Sequence, residues 1–240
     1  MRTRMQQDFA EILSKAGQPS DVTPMPHDVI EAYRGRVPGG LLEFWAEVGW
    51  CSFQDGYFWV SDPRAFDGLL KDVFQNDPEY APADFVIFKY DAFGKLYGWR
   101  NDTKIITLDI AAYNPVFSSQ QGEQRPDTGE RWTDDCYVAN SISLAKEERT
   151  YFAEQDLNDF EWALTALGPL KPGEIYGYSP AFALGGQGTP ETIVKTPIIE
   201  HLLMLNQFVR IGMERYILDT NDPNNPYGRL ERVREIGSPR

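Results

Sequence analysis

Between Gly49 and Pro63 the chain reads GWCSFQDGYFWVSDP, which places Trp50, Phe53, Tyr57, Phe58 and Trp59 close together. Upstream, Leu41, Leu42, Trp45 and Val48 fall at i, i+1, i+4 and i+7, one apolar helical stripe that Gly49 closes. Downstream, DPRAFDGLLKDVFQ predicts a helix capped by Asp62, with Pro63 in its first turn. Its face is Phe66, Leu69, Leu70, Val73 and Phe74. The aromatic stretch therefore lies between two amphipathic helices, and YFWV within it is a continuous apolar run of buried-strand type. A ligand cage would need exposed ring faces. Aromatic side chains dominate core energetics, so the spacing favours a core.

The rest of the chain extends this pattern. Phe9, Ile12 and Leu13 predict a first helix in MQQDFAEILSKAG, closed by Gly17. A proline-punctuated run follows, and Val29, Ile30 and Tyr33 predict a short helix after Pro26. Three strands are expected at 85–90, 95–100 and 104–110, with turns at Phe93-Gly94 and Asn101-Asp102. Residues 118–135 are polar and aperiodic, a linker or a long surface loop. YVANSISL (137–144) reads as a strand. AEQDLNDFEWALTALGP reads as a helix with Leu157, Phe160, Leu164 and Leu167 on one face. A strand, a turn and a Gly-rich loop are expected over 173–195. Thr196-Pro197 then opens a helix that runs on through Met213, Tyr216 and Ile217. Residues after 219, beginning NDPNNPYG, read as a loosely attached tail.

These elements predict an α+β fold: helices packed on a mainly antiparallel sheet, with a smaller α+β C-terminal domain. The expected division is a first domain over 1–115, a linker or surface loop over 116–136, a second domain over 137–218 and a tail over 219–240.

Charge narrows the function. The 240 residues carry 36 Asp/Glu against 23 Lys/Arg, a net charge of −13. The excess is spread over both halves, so it belongs to folded surface. Nucleic-acid binding needs a basic footprint and is not expected. A cationic protein would be attracted. No segment reaches the ~20 apolar residues of a membrane span, and MRTRMQQDFAEIL lacks the apolar stretch of a secretory signal. Cys51 and Cys136 read as two thiols in a reducing compartment, so a cytoplasmic location is expected.

Catalytic patterns are absent from the sequence. His27 and His201 are the two histidines, and neither stands in a nucleophile-elbow or papain-like signature. There is no H-E-x-x-H, no C-x-x-C and no calcium loop, so no metal is expected. LGGQGTPE (184–191) lacks the lysine of a phosphate loop and reads as a tight turn needing positive φ. No cofactor and no catalytic residue is assigned.

The motifs resemble a known pair of domains. VPGGLLEFWAEVGWCSFQDGYFWVSDPRAF resembles the GAD-like (GAD-related) domain: a proline, a leucine pair, a Trp helix, then Gly-Trp, Asp-Gly, an aromatic strand and Asp-Pro. GEIYGYSPAFALGGQGTPETIVKTPIIEHLLML is similar to the C-terminal domain of type VI secretion immunity proteins. The first part is also distantly similar to the SMI1/KNR4 superfamily. The resemblance implies a cytoplasmic, non-enzymatic immunity protein that binds and neutralises a cognate DNase effector. It supplies fold markers and no contact residues. A nuclease holds a phosphate backbone in a basic groove, which an acidic protein can occlude.

The contact surface is therefore sought in charge. Residues 123–161 hold 11 Asp/Glu against 4 Lys/Arg, the most acidic window of the chain. Glu130, Asp134, Asp135, Glu147, Glu148, Asp156 and Asp159 are the candidate partner-binding residues. The competing reading of these acids is a solvated linker and helix face. Two alternatives to the immunity function stand beside it. One is an intracellular SMI1/KNR4-like binding or scaffold protein with no toxin partner. The other is a hydrolase using acids near 184–191, with His201 or Glu200 required for turnover.

Overall fold

The computed structural model describes residues 15–119, 133–142, 154–217 and 229–237; at 119, 154–157, 216–217 and 229–230 it describes the backbone alone. The helix expected over the first residues lies almost wholly outside them. The aromatic stretch is a hairpin. Strand β2 (Trp50–Phe53) turns through Gln54, Asp55 and Gly56, all at positive φ, into β3 (Phe58–Val60). Phe53, Tyr57, Phe58 and Trp59 are each at most 5% exposed. Trp59 donates its indole N–H to Gly56 O at 2.8 Å and stacks on Tyr90, ring centroids 6.2 Å apart. The rings are core, as their position between two helices predicted.

The hairpin sits inside a nine-stranded sheet. Its order is β1 (Ser20–Thr23), β2, β3, β4 (Val86–Asp91), β5 (Leu96–Arg100), β6 (Lys104–Asp109), β7 (Val116–Ser119), β10 (Gly212–Ile217) and β11 (Arg229–Glu235). All neighbours are antiparallel except β7 and β10, which run parallel. A second sheet pairs β8 (Glu174–Tyr178) with β9 (Ile193–Pro197). Among the described residues six α-helices accompany them: α1 (His27–Ala32), α2 (Gly39–Glu47), α3 (Asp67–Val73), α4 (Asp134–Ile142), α5 (Glu154–Leu167) and α6 (Ile198–Asn206). The architecture is α+β and mainly antiparallel.

One core serves both sheets. Leu41, Trp45, Leu69 and Phe88 belong to the same buried cluster as Ile175, Tyr176, Ile198 and Leu202. Burying each such side chain stabilises by about 1.5–3 kcal/mol. Backbone bonds cross the join: Tyr176 N–H donates to Ala92 O at 2.7 Å, and Gly173 N–H to the Tyr90 hydroxyl at 2.9 Å.

Several local expectations differ from the structure. The span expected as a linker or surface loop over 116–136 opens with strand β7, paired on both sides. Residues 134–142 are the helix α4, where a strand was expected from 137. Asp134 and Asp135 favour its positive N-terminus, and Tyr137, Val138, Ser141 and Ile142 make a buried helical face. The helix over 197–217 stops at Asn206, and 212–217 form β10, because the open edge of β7 offers a full ladder of backbone partners. Within the expected tail, residues 229–235 form β11, antiparallel to β10. The Pro63 helix begins as a 3-10 turn over Pro63–Phe66, with Asp62 accepting Arg64 N–H at 3.0 Å. Leu167 is 37% exposed rather than inward, and Ala163 takes the buried position. Strand β1 was not foreseen: all four of its residues are exposed, so no apolar alternation marked it.

Candidate partner-binding surface

The acidic candidates separate once placed. Asp134 lies on the first turn of α4, half exposed, and pairs with Lys104 Nζ at 2.9 Å. Asp135, its neighbour, points elsewhere and accepts the Gly40 N–H at 2.6 Å. Helix α2 begins after Pro38, which has no side-chain acceptor, so the Asp135 carboxylate supplies the cap its own sequence lacks. A Cβ on Gly40 would lie 2.7 Å from that carboxylate oxygen, which explains glycine there. Asp159 is fully buried and accepts the Tyr178 hydroxyl at 2.5 Å. Its carboxylate orders the interior. Glu130, Glu147 and Glu148 lie outside the described residues, as does the side chain of Asp156.

Around Asp134 the fold gathers acids the window did not contain. Arg100, at the end of β5, meets Asp102 at 2.9 Å and Asp84 at 3.5 Å. Lys104, at the start of β6, meets Asp134 and donates to Asn101 O at 2.9 Å. The cations lie beneath: Arg100 is 15% exposed and Lys104 25%, against 45%, 61% and 51% for Asp84, Asp102 and Asp134. Arg100 rests 4.7 Å over the Tyr80 ring, and Lys104 5.4 Å over Trp99. Three carboxylates thus face solvent over two cations stacked on rings. The rim attracts positive charge while its own cations are screened by position. Asp84 and Asp102 stand far from Asp134 in sequence. Only the β5–β6 turn brings them together, and the Asn101-Asp102 turn signal was the sole hint.

The chemical alternatives place as follows. His27 is largely exposed, 3.8 Å from Glu31. His201 is 9% exposed and packs against Gly177, where burial lowers its pKa. The Cys51 thiol is buried, which pushes its pKa up to about 12. In the Gly-rich loop, Gly185 N–H donates to Phe182 O and Gly186 N–H to Ala181 O, both at 3.0 Å. Those two amides are turned inward, and Gly185 and Gly188 take positive φ as the turn reading required. Among the described residues no group of three His, Cys, Asp or Glu is placed to hold a metal. No described helix is long and apolar enough to cross a membrane.

Residues 7–114 match the GAD-like domain, and residues 141–209 match the C-terminal domain of the type VI secretion immunity protein Tdi1. The chain carries a GAD-like domain followed by a Tdi1-type C-terminal domain. The Tdi1-type match points to an immunity-protein family. The crystal structure of Atu4351 from Agrobacterium tumefaciens superposes with a TM-score of 0.76 at 22% identity, over 96% of this chain and 98% of that one. That likeness is one of fold. No curated protein matches.

Proposed function

We propose that this chain is a cytoplasmic immunity protein that binds a cognate, basic DNase effector of type VI secretion and occludes its active site or DNA groove. The observation that carries the reading is the Tdi1-type match over 141–209. The net charge of −13 supports it, since a nuclease groove built for phosphates favours an acidic ligand. The rim of Asp84, Asp102 and Asp134 is a surface suited to steering such a partner. Inhibition is stoichiometric: the protein contributes shape and charge to a complex and turns nothing over.

Co-expression tests this. A candidate type VI secretion nuclease effector is expressed in a sensitive bacterium with and without the protein. Intact plasmid DNA, survival and a co-purified complex are the expected results. Degraded DNA despite soluble expression of both would refute the function.

A further inference from the structure

Among the described residues two aromatic side chains stand exposed, Tyr113 at 77% and Phe208 at 58%. Tyr113 lies edge-on to the Phe182 ring. Phe208 stands just after α6, between Asn206 and Val209, which both line a cleft of about 310 Å³. Met204, one helical turn before Phe208, is 38% exposed. Three separate parts of the chain meet at this cleft: the residues that end α3, the residues that end α6, and the end of β11. Its walls therefore come from both matched stretches, Asp72 to Asn76 from the first and Asn206 to Val209 from the second.

Those walls are fixed to one another. The Asn206 side-chain N–H donates to Asp72 at 2.9 Å and ties α6 to α3. The Ile236 N–H donates to Ile211 O at 2.9 Å, and the Gly237 N–H to the buried Asp77 at 2.8 Å. The Phe208 N–H donates to Leu205 O at 2.9 Å, which continues the turn of α6 and sets the ring beside the cleft. Two lining amides stay unengaged: among the described residues no hydrogen bond takes up the side chain of Gln75 or of Asn76. A cleft formed in advance loses little conformational freedom on binding.

Charge narrows the occupant. The lining holds two carboxylates, Asp72 and Glu235, and one cation, Arg210. Arg210 meets Glu235 at 3.2 Å, and Arg232 reaches the same carboxylate at 3.7 Å. Lys71 stands beside Asp72 on the last turn of α3, and Asp77 beneath is paired with Arg234. Neither sign dominates, in a protein whose net charge is −13. A side-chain amide offers a donor and an acceptor together, as a peptide group does. Interface cores are depleted of charge and enriched in aromatic residues and Met. We infer that this cleft receives an uncharged, extended loop of the effector protein, its backbone bonded to Gln75 and Asn76 and an apolar side chain resting on Phe208 and Met204. This rests on the reading of the chain as an inhibitor of a protein effector. The acidic rim draws the partner in, and the neutral cleft holds it.

Off-rates test the cleft. The immobilised probe is the catalytically inactivated nuclease effector that the co-expression test identifies, in salt that screens the rim. Phe208→Ala is expected to raise the off-rate about tenfold or more. Asn76→Asp and Asn76→Lys should each raise it about fivefold or more, since either places an unpaired charge against an uncharged loop. Tyr113→Ala lies outside the cleft lining and should bind like the wild type. Asn76 is exposed, so thermal midpoints of its two variants should match the wild type. If Phe208→Ala and both Asn76 variants release the effector no faster than the wild type, the cleft is refuted while the immunity reading stands. If either Asn76 variant slows release, the occupant is charged and the inference is refuted. If co-expression identifies no effector, both readings fall together.

Discussion

Asp135 accepts a 2.6 Å hydrogen bond from the backbone N–H of Gly40, a residue 95 positions earlier in the chain. One carboxylate therefore joins the start of α4, which lies between the two matched stretches, to the start of α2 within the first. Asp134 beside it faces solvent and Lys104. Removing the cap with Asp135→Ala should lower stability by about 1 kcal/mol. Asp134→Ala should change it by less than about 0.5 kcal/mol, as half-exposed ion pairs contribute little. Urea midpoints of the two variants measure this, and equal midpoints would show that the bond to Gly40 caps nothing.

Asp77 and Arg234 form another long-range tie. Their side chains are 0% and 3% exposed, with two hydrogen bonds at 2.6 and 2.8 Å, and Arg215 pairs with the adjacent Glu79. Burial alone would raise the Asp77 pKa. The Arg234 guanidinium and the N–H groups of Gly237, Glu79 and Tyr80 outweigh it and hold the value at about 2. Arg234→Met leaves a buried carboxylate unpaired and should cost about 3–5 kcal/mol. Hydrogen exchange should show protection lost in 212–217, the strand that β11 covers. In the wild type the depressed pKa gives stability that is present above the unfolded value of ~3.9 and is lost as pH falls towards about 2.

Asp91 behaves in the opposite sense. Burial, then the charge of Asp109, pushes its carboxyl up to about 7, against the pull of Lys95 and the N–H groups of Lys95 and Phe93. Between pH ~4 and about 7 the native state keeps a proton that the unfolded chain releases, so this group makes stability fall as pH rises through that window. Asp91→Asn preserves an oxygen for the two N–H bonds and removes the charge. It should raise stability at pH 8 by about 1–3 kcal/mol and do little at pH 4. Thermal midpoints of both proteins across this range give the answer. The difference between them cancels His201, whose lowered pKa slopes the other way. A variant whose curve parallels the wild type would remove the assignment.

What the sequence disclosed depended on whether a signal was local. The buried hairpin around Trp59, the strands at 86–91, 96–100 and 104–109 and the glycine turns follow from period, propensity and φ, and each stands within a residue or two of its expected place. Strand β10 did not, since Gly212–Ile217 becomes a strand only because β7 leaves an edge open to it. Strand β11 did not, because its anchor is an arginine whose partner, Asp77, is 157 residues away. The acidic surface was half legible. Composition pointed to Asp134, but Asp135 is a part-buried cap, Asp159 is an acid of the interior, and Asp84 and Asp102 join the rim only through Arg100 at the end of β5. The exposure of Tyr113 carried no sequence signal at all.

The rim makes a kinetic prediction of its own. Charges at an exposed rim act mainly on encounter, and anchors mainly on residence. Asp134→Lys should therefore lower the on-rate for the effector by about two- to fivefold at low salt, and flatten its salt dependence, with the off-rate nearly unchanged. Asp134 is the right position for this reversal because it is 51% exposed. Asp135 is the wrong one, since its loss would also uncap α2. An on-rate and salt slope identical to the wild type would place the steering charge elsewhere on the molecule.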